Sequence, residues 1–115
     1  MKQRPEELNS KTYRVPTGYG KLYITVTELD DKPFEVFCTI GKSGGSIMAK
    51  AEAVGRLVSL ALRNDVSVED VVDQLIDIDG GNPLAWKHTV IKSIPDAVGR
   101  ILKENYLCPT PTKTN

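Results

Sequence analysis

The hydrophobic residues of this chain change their spacing once, and that change limits the fold more than any other feature. From Thr12 to Ile40 the period is two. Leu22, Ile24 and Val26 alternate with Tyr23, Thr25 and Thr27, and Phe34, Val36, Cys38 and Ile40 alternate with Glu35, Phe37 and Thr39. From Ser46 onward the period is 3.6, with Ile47, Ala51, Val54, Val58 and Ala61/Leu62 on one stripe. Strands therefore come first and helices after, which is the order of an α+β domain. The expected architecture is a small antiparallel sheet of N-terminal strands, packed on one face by about three C-terminal helices.

Local signals fill in this outline. "LDDKP" supplies turn chemistry between the two alternating runs, and an earlier strand near Tyr13 to Val15 enters through "PTGYG". In the helical half, Gly55 interrupts the first pattern. It costs about 1 kcal/mol there relative to alanine unless another backbone comes close. Ser67 reads as the N-cap of a second helix, with Glu69 and Asp70 in its first turn and Val68, Val71, Val72, Leu75 and Ile76 on its buried side. "DGGNPLAWKHTVIK" reads as a loop, after which Ser93 caps a third helix with Pro95 in its first turn. The polar residues 1–10 and the Pro/Thr-rich residues 106–115 read as flexible tails around a single domain at 11–105. The second sheet face (Tyr23, Thr25, Thr27, Phe37 and Thr39) is neither plainly polar nor plainly core. It fits a symmetric homo-oligomer contact, a partner sheet or a half-wetted surface.

Charge and cysteine usage narrow the function. Lys+Arg and Asp+Glu both number 15 in 115 residues, so no net field recruits polymeric nucleic acid or an anionic membrane. No apolar run approaches the ~20 residues of a membrane span, and the N-terminus has no signal-peptide core, so a cytoplasmic protein is expected. Cys38 alternates with core residues and reads as a small buried hydrophobe. Cys108 lies in the C-terminal tail. With His88 as the one histidine, these dispersed groups give no metal-ligand spacing, and no metal or cofactor is expected. No nucleophile–base pair or carboxylate pair stands at catalytic spacing either.

The stretch that remains is "GKSGGS", residues 41–46. It ends like a Walker A loop, but the glycine required five residues before Gly41 is Val36, and the glycine pair follows the lysine. A looser argument survives. Gly44 and Gly45 let successive backbone N–H groups converge just before a helix, Ser43 and Ser46 add hydroxyls, and Lys42 adds a cation. That set suits a phosphate or carboxylate. The alternative is a glycine turn with Ser46 as an ordinary N-cap. If strand pairing brings "PTGYGK" beside this loop, Tyr19 becomes available for stacking. Trp86 and His88 could cap a planar ligand or simply pack their own loop down.

With these residues in view, "TGYGKLYITV", "PFEVFCTIGKSGG", "EAVGRLVSLALRN" and "SIPDAVGRIL" resemble successive blocks of the TSCPD domain. That domain occurs at the C-terminal end of adenosylcobalamin-dependent ribonucleotide reductases and also alone. The resemblance does not extend to a reductase barrel, so catalysis is not implied. The family often has cysteine where this chain has Tyr19, Ser46 and Ile94, and a cysteine-proline where it reads "DIDGGNP"; a metal or thiol-relay role is not expected here. The reading is a non-catalytic homo-oligomeric module that binds a small anionic ligand, a nucleotide or nucleotide-derived signal. Lys42, Ser43, Gly44, Gly45 and Ser46 would hold phosphate, and Tyr19, Trp86 or His88 would meet the base. It would serve as a sensor or as a sequestering sponge, in the host cytoplasm if the chain is viral. The alternative is an accessory protein that docks on a ribonucleotide reductase in trans.

Overall fold

A computed structural model describes residues 1–107; Cys108 and the rest of the expected C-terminal tail lie outside the described residues. The fold is α+β, as expected. Strands β1 (Asn9–Thr17), β2 (Gly20–Leu29) and β3 (Lys32–Ile40) form an antiparallel sheet in that order. Helices α1 (Gly45–Arg63), α2 (Val68–Leu75) and α3 (Ile94–Leu102) follow, the last continuing into a π-helical turn at Lys103–Leu107. The sheet buries Val15, Leu22, Ile24, Val26, Val36, Cys38 and Ile40 on its inner side. Ala51, Val58 and Leu62 of α1, Val71 and Val72 of α2, and Ala97, Val98, Ile101 and Leu102 of α3 complete the core. Burial pushes the Cys38 thiol up to about 12, so it is an inert core group.

The tight hairpin between β2 and β3 turns at Asp30 and Asp31, both with positive φ (54° and 64°), as a right-twisted two-residue loop requires. Helix α1 lies against the outer edge of β3. The Ser59 hydroxyl accepts from the Val36 N–H at 2.8 Å and donates to the Val36 carbonyl at 2.9 Å, which closes that strand edge. Gly55 makes the approach possible. A Cβ at this position would stand 3.0 Å from the Val36 oxygen and 3.2 Å from the Cys38 nitrogen. The glycine inside the helix is therefore a packing requirement of the helix–sheet contact.

Several expectations are corrected. The segment 79–92 is not all loop: Leu84–Trp86 (β4) and Thr89–Ile91 (β5) form a small hairpin. Five of its six strand residues are exposed or half-exposed, so no burial alternation marked it. Secondary structure and hydrogen bonds also run beyond residues 11–105 at both ends. β1 begins at Asn9, and the half-buried Tyr106 donates its hydroxyl to Glu28 at 2.5 Å. Upstream, the Lys2 N–H bonds the Arg63 carbonyl at 3.0 Å and Arg4 Nε reaches both Glu35 oxygens at 3.0 and 3.1 Å. That contact changes the outer sheet face. Glu35 and Thr27 are buried there and joined by a 3.2 Å hydrogen bond, which leaves Tyr23, Thr25, Phe37 and Thr39 as the open part.

Candidate functional site

The loop 41–46 starts where β3 runs out and ends where α1 begins. The Gly41 N–H donates to the Lys21 carbonyl at 3.2 Å, a last rung beyond the ladder. Lys42 then takes φ 52°, turning the chain away from the sheet with its side chain exposed. The Ser43 hydroxyl donates to the Tyr19 carbonyl at 2.8 Å. These bonds bring the 17–20 turn beside the loop. Gly20 allows the contact: its φ is 131°, and a Cβ there would sit 3.1 Å from the Gly41 oxygen.

The start of α1 departs from the N-cap expectation for Ser46. The cap is Gly44, with extended backbone and no side-chain hydrogen bond, and Ser46 lies one residue inside the helix. Gly44 has no side chain to offer, and the Ser43 hydroxyl, held against the Tyr19 carbonyl, accepts from none of the first-turn N–H groups. The N–H groups of Gly45, Ser46 and Ile47 therefore have no intrahelical or side-chain acceptor. The first turn carries no acidic residue. A Cβ at Gly44 or Gly45 would touch nothing within 4 Å, and neither glycine has a positive φ. Packing does not require them; they leave the positive end of a 19-residue helix bare to solvent beside Lys42.

The other candidate residues divide. Tyr19 is adjacent, but its ring packs against the core cluster and its hydroxyl donates to the Gly80 carbonyl. Asn82 Nδ2 bonds the Gly18 carbonyl at 2.7 Å, so the 79–82 loop is the third strap at this end of the molecule. Tyr19 anchors that loop instead of offering a free stacking face. Trp86 lies elsewhere. It borders a cavity of about 340 Å³ with Thr12, Tyr13, Arg14, Ile101 and Asn105, along the β1 side of the sheet, and Lys87 Nζ stands 4.5 Å from its ring centroid. Two strand spacings, roughly 10 Å, separate β1 from β3 and its loop. His88 is exposed at the tip of the β4–β5 turn. The expected grouping of Trp86 and His88 with the glycine loop is not what the fold brings together. The expected approach of "PTGYGK" to the glycine loop does occur, with Lys21 joining through its carbonyl, which accepts from the Gly41 N–H.

Among the described residues, no group of three or more His, Cys, Asp or Glu side chains is placed to hold a metal ion. No helix among them is long and apolar enough to cross a membrane. Neither the curated proteins nor the solved structures contain a significant match to the chain. The family model of the TSCPD domain matches residues 1–106, spanning the sheet, the glycine loop and all three helices, and the chain belongs to the TSCPD domain family.

Proposed function

We propose that this protein is a non-catalytic binding module for a small phosphate-bearing ligand, a nucleotide fitting best, held at the start of α1. One observation carries the reading. Of the three α-helix starts among the described residues, α1 alone has no side-chain cap and no acid in its first turn, and it stands beside an exposed lysine. The backbone N–H groups of Gly45, Ser46 and Ile47 would bind phosphate oxygens, Lys42 would add charge and Ser46 a hydroxyl. Ser43 would act indirectly, by holding the loop on the 17–20 turn. The base would lie across that turn, since Trp86 and His88 are on another side of the sheet.

Native mass spectrometry of freshly purified protein, followed by calorimetric titration with the retained or screened nucleotide, tests the proposal. A charge-assisted hydrogen bond contributes roughly 1.5–3 kcal/mol, so Lys42→Ala should weaken binding about ten- to a hundredfold. Gly44→Val should do at least as much by covering the bare N–H groups. Folded variants that bind as wild type does would reduce the loop to a turn. Docking on a ribonucleotide reductase, which the family membership favours, would then be the reading to pursue.

A further inference from the structure

Helix α1 carries a second apolar stripe, on the side away from the core. Ala49, Ala53, Leu57 and Leu60 follow one another at helical spacing, and the two leucines are 66% and 54% exposed. Leu57 stands on the wall of a cavity of about 440 Å³ that opens between α1 and α2, lined also by Val58, Ala61, Val66, Val71, Gln74 and Leu75. The exposed Asp70 also borders it. A projecting leucine and an apolar hollow thus share one patch. The residue before the projection is a cation, Arg56, and the hollow's margin carries an anion.

We propose that this patch is a two-fold interface between two copies of the chain, with Leu57 of each seated in the α1/α2 hollow of the other. Three features select a second copy as the occupant. An isologous contact needs a projection and its receptor within the same patch, and both are present. It also needs charges that complement themselves under the rotation; Leu57 entering the hollow carries Arg56 toward Asp70, and the reciprocal pair forms by symmetry. Finally, the intrachain partner of Arg56 is Glu52 at 3.2 Å, with side chains 78% and 67% exposed, an ion pair that water screens and that exchanges readily. Ala49 and Ala53 leave room for a second helix along the same stripe. The inference is independent of the loop reading and differs from an interface on the open Tyr23/Phe37 part of the sheet.

Sedimentation velocity of the full chain decides the matter. Wild type should sediment at twice the 12.7 kDa chain mass or a multiple of it. Leu57→Glu should weaken self-association at least ~30-fold, as removal of a central anchor does. Arg56→Glu should weaken it about tenfold, and adding Asp70→Arg should restore it. All three positions are exposed, and thermal melts check that each variant folds. Should Leu57→Glu fail to fold, the charge-reversal pair decides alone. A wild-type monomer at about 100 µM, a concentration at which even weak interfaces associate, overturns the proposal. So does an assembly of any size unchanged by these substitutions, or one dissolved by Phe37→Lys but not by Leu57→Glu.

Discussion

Helices α2 and α3 begin alike, and α1 begins differently. Ser67-Val68-Glu69-Asp70 and Ser93-Ile94-Pro95-Asp96 each put a serine at the N-cap, accepting the N–H three residues on at 3.0 and 3.1 Å. Each also places acid in the first turn, against the positive end of the helix. At α1 the cap is Gly44, nothing accepts, and no acid is present. Closed starts contribute stability to the fold. The open start leaves donors unpaired at the surface, so whatever it offers is offered to solvent or a ligand.

The difference can be pressed hardest at Asp96. Its carboxylate is fully buried and accepts from the Asp77 N–H at 2.7 Å, the Lys92 N–H at 2.8 Å and Arg100 Nε at 3.0 Å. It fastens the end of α2 to the start of α3. Asp96→Ala should therefore destabilise the domain by about 3–5 kcal/mol in urea unfolding, since it strands the Asp77 and Lys92 amides and leaves Arg100 with Asp77 alone. A loss no larger than that of a simple cap would mean that the α3 start is not special among the closed ones.

The serine and glycine caps provide the next contrast. Ser67→Ala should cost about 1 kcal/mol. Gly44→Asp should do the reverse, raising stability by roughly 0.5–1 kcal/mol, because the site is extended, open and unpartnered. The same substitution should abolish phosphate binding by placing a carboxylate where the anion would sit. A variant that gains stability and keeps its affinity would separate the open helix start from any binding role.

The smallest effect is expected at Asp77, just past the end of α2. Hydrogen bonding to Lys92 first, and then the charges of Lys92 and Arg100, lower its pKa. A carboxylate held below its unfolded value stabilises above that value. The contribution is lost as pH falls through the lower, folded value, so Asp77→Asn should flatten the acid limb of the stability profile only below about pH 4. The group is largely exposed, so the change should be slight, and a change on the alkaline side would contradict the assignment.

Much of this molecule is determined by local chemistry. The switch from period two to period 3.6, the hairpin at Asp30-Asp31 and the serine caps at Ser67 and Ser93 each depend on residues a few positions apart, so the sequence alone was enough to place them. Burial of Cys38 follows from its alternation with Val36 and Ile40. Long-range contacts decided the rest. Gly55 could be flagged as costly, but only the β3 edge shows what the missing Cβ makes room for. Ser43 and Ser46 looked equivalent beside their glycines. The Tyr19 carbonyl, 24 residues from Ser43, engages one hydroxyl and leaves the other inside the helix. Likewise, Trp86 and His88 were aromatic candidates for the ligand until the fold put β4 and β5 on the β1 side. A strand register or a hydrogen bond to a distant carbonyl is a property of three-dimensional closeness, and neighbours in the chain carry no record of it.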